Sequence, residues 1–212
     1  MDSLSKNMTY ELALKVDAND LKSYYDAISS DKEKGNWYHD NSFWAKIAKR
    51  DFGFPEGVFA FTGQRFMKPH LRYDYIKNIV PNQESMKTLN EIAVHWHPTN
   101  QWQEKESEEI VPEKFKDLED YLNWIESISE DSFFEFDSIY VKHVYTLSTS
   151  KERNKFTKMT LFRSNYGDSV TYMNILECAR IVCPTDYSSI EKFEYIGFSD
   201  DGVPILEVTM NF

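Results

Sequence analysis

Ser138-Ile-Tyr-Val-Lys-His-Val-Tyr-Thr-Leu147 and Phe156-Thr-Lys-Met-Thr-Leu-Phe-Arg163 are the two stretches whose reading decides the fold. Both are rich in β-branched and aromatic residues, which suit a pleated, half-buried surface, and the polar segment between them reads as a hairpin loop. Side chains two apart on a strand share a face. Ile139, Val141, His143, Tyr145 and Leu147 therefore form one set, and Tyr140, Lys142, Val144 and Thr146 the other. The first set is expected inside, which makes His143 a buried, hydrogen-bonded histidine and leaves Lys142 outside. Residues 170–183, 190–198 and 204–210 continue the β pattern, with polar breaks such as 164–168 and 199–202 between runs. Five strands at short spacing read as an antiparallel meander over 137–212.

Working outward, the front of the chain alternates. In 9–16, Tyr10, Leu12, Leu14 and Val16 alternate with mostly polar neighbours, as a half-buried strand requires. Asp17 to Asp20 supply capping oxygens for a helix carrying Leu21, Tyr24, Tyr25 and Ile28. Asp40 caps a second with Phe43, Trp44, Ile47 and Ala48. Residues 57–62 read as a strand behind the breaker Pro55. Pro69 suits the first position of a helix through Ile79, and Asn82 caps another through Met86, Leu89 and Ala93. Its end is open: helical, Glu91 and His95 share a face; extended, His95 and His97 do. A further helix begins near Pro112 with Phe115, Leu118, Leu122 and Ile125 inward. The expected fold is α+β, one domain over 1–212: a largely antiparallel sheet with a C-terminal meander, packed with several helices from 1–136.

A chain of 212 residues with 41% hydrophobic and 28% charged side chains can bury a sizeable core, which argues for a folded protein. No window reaches the roughly 20 apolar residues of a spanning helix, and Met1-Asp-Ser-Leu-Ser-Lys6 lacks the regions of a signal peptide, so a cytoplasmic protein is expected. Cys178 and Cys183 then read as reduced, buried thiols on opposite faces of one strand. Scarce Gly and Ala beside abundant Asn, Lys, Ile, Tyr and Phe suggest an AT-rich genome, bacterial or phage.

The net charge of -11 is uneven. Residues 1–103 are neutral, whereas 104–135 hold 12 acids against 3 bases and 138–180 hold 7 bases against 3 acids. An acidic helical segment and a basic hairpin are implied. The plain reading is a solvated helix face. The functional one is that Glu113, Asp117, Glu119, Asp120 and Glu126 steer a protein with a basic surface while Tyr121, Trp124 and Trp102 anchor it. The overall sign disfavours nucleic acid.

Chemistry has few candidates. His95-Trp96-His97 on a strand can aim two imidazoles at one metal, with His70, Glu91, His39 or His143 as a third ligand, yet no zinc, EF-hand or His-Glu-x-x-His arrangement is present. There is no Gly-x-Ser-x-Gly elbow, and 51–57 and 61–64 lack the glycine spacing and lysine of a nucleotide loop. No cofactor is expected. The sequence thus points to stoichiometric protein binding, of the inhibitor or immunity type, with a metal-dependent hydrolase using His95 and His97, or a small-ligand-binding protein, as alternatives.

Overall fold

A capping box closes one end of the helix that overturns the meander. Thr171 Oγ1 accepts from the Asn174 backbone N–H, and the Asn174 side chain accepts from the Thr171 N–H. A reciprocal pair of this kind satisfies two backbone donors that a helix start would otherwise orphan. Within 170–183, only Val170–Thr171 is extended; Tyr172–Val182 is helical and buries Tyr172, Ile175, Leu176, Ala179 and Val182 at spacings of three and four. The alternation Val170, Tyr172, Leu176, Cys178, Val182 was equally present, and the cap together with a sheet face to cover decided between the two periods.

The computed structural model describes residues 6–28, 36–94, 96–97, 101–102, 116–134, 136–148, 153–164, 168–183 and 189–211. They form an α+β fold that divides into two compact units, Met1–Val80 with Phe198–Gly202, and Pro81–Gly197 with Val203–Phe212.

The first unit is helical: α1 (Lys6–Ala13), α2 (Leu21–Ile28), a 3-10 turn (Asn36–His39), α3 (Asn41–Phe52), α4 (Glu56–Phe59) and α5 (Pro69–Asn78). Asp40 caps α3 as expected, accepting from the Ser42 N–H at 2.9 Å. Gly53, at φ +71, ends it in the left-handed conformation that side chains with a Cβ resist. Leu21, Phe43, Ile47, Phe54, Phe59 and Ile76 are almost fully buried here, with Trp37, Tyr38, Trp44 and Tyr73 around them. Gly202 closes against this core. A Cβ there would sit 2.8 Å from the Phe54 ring.

Two strands expected in this unit are helices. In 9–16, the buried residues are Thr9 and Ala13, four apart, while Leu12 is 42% exposed. Small residues carried the inward face, so a pattern read from the large apolar ones chose the wrong period. Arg50 of α3 then holds the turn after α1 by donating to the carbonyls of Leu14 and Val16. In 57–62, Phe59 is buried and Phe61 is 85% exposed, although a strand would place both on one face. Pro55 opens α4 instead, and Thr62 Oγ1 donates back to the Val58 carbonyl.

The second unit contains α6 (Gln83–Ala93), β1 (Trp96–His97), β2 (Gln101–Trp102), α7 (Leu118–Ser129), β3 (Ser132–Phe134), β4 (Ser138–Ser148), β5 (Arg153–Arg163), β6 (Val170–Thr171), α8 (Tyr172–Val182), β7 (Ser189–Phe198) and β8 (Pro204–Asn211). The main sheet runs β5-β4-β8-β7. β4 and β5 pair antiparallel with Val141 opposite Thr160, and β4 and β8 pair parallel with Val141 opposite Leu206. The expected five-strand meander is therefore a four-stranded sheet, and α8 lies between its second and third strands in the sequence. α8 covers one face of β4 and β5.

The register of β4 follows its alternation from Ile139 to His143, whereas Tyr145, expected inside, is only half-buried. Ile139, Val141 and His143 are buried against α8, β8 and their neighbours, whereas Tyr140, Lys142 and Val144 are half-buried on the other face. Lys142 reaches Glu207 at 2.8 Å on that outer face. His143 Nδ1 lies 3.0 Å from the Val208 carbonyl oxygen, which only accepts, so Nδ1 carries the proton. The side chain of Leu147 lies outside the described residues. At the β7 edge, Asn90 of α6 engages both backbone groups of Phe193, donating to its carbonyl at 3.1 Å and accepting from its N–H at 2.6 Å. That blunts an edge which could otherwise pair with another chain.

Cys178 and Cys183 sit on α8 and its C-terminal cap rather than on a strand, and both are free and buried. Burial pushes each thiol up to about 12. An unfolded thiol ionises near 8.5, so between these values the unfolded chain binds fewer protons and stability falls as pH rises. The loss should reach about 1.4 kcal/mol per pH unit per thiol above roughly pH 9. Urea titrations from pH 7 to 11 check this, and a flat profile would show the thiols to be solvated. A thiol-specific reagent at pH 8 should react only after unfolding.

Candidate functional site

The acidic helix was the strongest sequence signal, and α7 shows what its residues do. Asp117 is the N-cap, accepting from the Asp120 N–H at 2.9 Å. Asp120 accepts in turn from the Lys116 N–H at 3.2 Å. Glu119 and Asp120 lie in the first turn, where carboxylates face the positive end of the helix dipole. Glu119, Asn123, Glu126 and Glu130 fall at spacings of four, three and four and are all exposed, so they form one solvent face. Among the described residues, no lysine or arginine pairs with Glu119, Glu126 or Glu130. Lys116 approaches Asp117 only to 3.9 Å with both side chains largely in water, a contact of little energetic weight.

The aromatic part of that expectation changes. Tyr121 is 1% exposed and belongs to the core, where burial and the nearby Glu91 push its hydroxyl up to about 12. A ring in the core cannot anchor a partner. Trp124 stacks on Tyr121 with centroids 5.8 Å apart and is half-buried against the same core, so only part of its surface faces out. The helix turned its Tyr121 and Ile125 edge inward. Apolar spacing alone placed Tyr121 on the flank because Leu118 and Leu122 dominated the count. Glu113 and the side chains of Trp102, Leu118 and Leu122 lie outside the described residues.

For the metal alternative, the described residues place the backbone of Trp96–His97 and some of the further ligands considered. α6 ends at Ala93, and Trp96–His97 is extended, with His97 opposite Gln101. His95 and the side chain of His97 lie outside the described residues. Of the further ligands considered, His143 is in the sheet core, while His39 and His70 belong to the first unit. Among the described residues, no group of three or more His, Cys, Asp or Glu could hold a metal ion.

A feature that the sequence reading passed over stands out in the first unit. Phe61 and Phe66 are 85% and 90% exposed on the loop between α4 and α5. The loop is braced from beneath by Arg72 of α5, itself 3% exposed. Its guanidinium donates to the carbonyls of Phe59, Ala60, Gln64 and Met67. Four carbonyls held by one rigid fork fix the backbone that carries both rings. Arg65 lies over the Phe66 ring, 5.6 Å from its centroid. Gly63, at φ +75, makes the turn, and a Cβ there would press on the Met67 sulfur at 3.1 Å. An arginine three residues into a helix behind an aromatic, glycine-bearing loop was the available signal, but its burial is a tertiary fact.

Compared with known proteins, the chain matches no family model, no curated protein and no solved structure. Among the described residues, no helix is long and apolar enough to cross a membrane.

Proposed function

We propose that the protein acts by stoichiometric binding to another protein, as a cytoplasmic inhibitor or immunity-type factor of bacterial or phage origin. The observation that carries this reading is the pair Phe61 and Phe66, two large apolar rings held out in water by a braced loop. Exposed aromatics on a preorganised backbone have the character of interface anchors, because little conformational freedom remains to be lost on docking. The exposed acidic face of α7, which no lysine or arginine among the described residues neutralises at Glu119, Glu126 or Glu130, supports a partner with a basic surface, by steering its approach.

The two features separate in experiment. Once affinity capture has supplied a partner, Glu119→Lys, Asp120→Lys and Glu126→Lys together should lower the association rate about tenfold or more at low salt. Charges separated by more than about 10 Å are screened at 0.1 M, so the difference should shrink as salt rises. Stability should change by about 1 kcal/mol, from the first-turn carboxylates alone. Unchanged association with unchanged salt dependence would make this helix face a solvated surface and remove the basic partner from the reading.

A further inference from the structure

A second place in the first unit combines a cavity with a complementary set of groups, and it is independent of the docking surfaces above. A pocket of about 360 Å³ opens between α2, the 3-10 turn, α3 and α5, lined chiefly by Lys22, Tyr38, Trp44, His70, Tyr73 and Asp74. Its walls are aromatic. Tyr38 and Trp44 meet at 5.4 Å between centroids, Trp44 and Tyr73 at 5.3 Å, and Tyr38 and His70 at 5.3 Å. Two of these rings have their polar handles engaged within the protein: Trp44 Nε1 donates to the Tyr38 carbonyl at 2.7 Å, and the Tyr73 hydroxyl donates to Asp51 at 2.9 Å. They contribute ring surface to the pocket. His70 differs, since its Nδ1 is buried and has no hydrogen-bond partner among the described residues.

The rim carries one charge of each sign. Lys22 and Asp74 are exposed, neither forms an ion pair among the described residues, and both line the same pocket as His70. A simple organic cation would be attracted by Asp74 and repelled by Lys22; a simple anion would meet the reverse. A ligand carrying both charges, an ammonium and a carboxylate on one carbon, satisfies both. The volume is near the lower end of small-molecule sites, which run from about 300 to 1,000 Å³, and it suits a compact ligand.

We propose that this pocket binds a free amino acid with an apolar or aromatic side chain. Its carboxylate faces Lys22, its ammonium faces Asp74, and its side chain lies on Tyr38, Trp44 and Tyr73. Cation–π attraction to the same rings reinforces the ammonium contact.

The test uses the full chain and four probes: L-phenylalanine, phenethylamine without the carboxylate, 3-phenylpropionate without the ammonium, and neutral benzyl alcohol. Titration calorimetry, backed by ligand-observed NMR, should rank L-phenylalanine first, with at least about a tenfold loss on removing either charge. Lys22→Ala should abolish the preference over phenethylamine alone, and Asp74→Ala the preference over 3-phenylpropionate alone. Both residues are exposed, so circular dichroism should show both variants folded. Equal binding of L-phenylalanine and benzyl alcohol would make the site a neutral aromatic slot and overturn the proposal. So would the absence of binding by L-phenylalanine, L-tryptophan and L-leucine at millimolar concentration, or a Lys22→Ala variant that retains the full preference.

Discussion

Arg72→Met is expected to destabilise the first unit by about 3 kcal/mol, read as a lower urea midpoint with an unchanged slope. The side chain is 3% exposed, and its guanidinium serves the carbonyls of Phe59, Ala60, Gln64 and Met67. Hydrogen bonds to a charged group contribute about 1.5–3 kcal/mol each at good geometry, and three of these four are long, at 3.3 to 3.4 Å, so their sum falls well short of the ideal. Methionine fills a similar volume and relieves the desolvation of a buried cation, which offsets part of the loss. Arg72→Lys should be intermediate, because one ammonium cannot present the guanidinium's planar set of donors. If Arg72→Met left the urea midpoint in place, the loop would be holding itself, and its rings would no longer count as braced.

The second large effect concerns those rings directly. Phe61→Ala with Phe66→Ala should leave stability within about 0.5 kcal/mol, since both side chains stand in water in the free protein. Affinity for the captured partner should fall by about 100-fold or more, because truncating an anchor at an interface typically costs about 2 kcal/mol or more. The change should appear chiefly in the dissociation rate, in contrast to the α7 charge reversals, which act on association. Arg72→Met should weaken the same complex while both phenylalanines are still present, since it releases the backbone that positions them. A double alanine variant that binds as tightly as the unaltered protein would place the interface elsewhere and remove the observation on which the proposed function rests.

Local chemistry was legible along the chain wherever a cap, a breaker or a long run of one period acted without help. Asp40 and Gly53 around α3, Asn82 before α6, Pro69 at the start of α5 and the two faces of β4 follow from side-chain geometry that is the same in any fold. The buried, hydrogen-bonded His143 belongs with these. Once Ile139 and Val141 face inward, period two carries His143 with them. The acidity of α7 was equally legible, because charge is counted rather than folded.

Tertiary structure decided what short patterns leave degenerate. Residues 9–16 and 170–183 each fit a strand and a helix, and what selected the helix was a surface to cover: a core that accepted Thr9 and Ala13, and a sheet face that accepted Ile175, Leu176 and Ala179. The same holds for exposure. Tyr121 and Trp124 look alike in sequence, yet one is a core ring and the other half faces water, because a helix's rotation is set by what packs against it. The bracing of Phe61 and Phe66 by Arg72, and the meeting of Lys22, His70 and Asp74 around one aromatic pocket, bring together residues from separate helices and loops. No local rule encodes such distances. They follow from how the helices bury their faces on one another, which is a property of the whole unit.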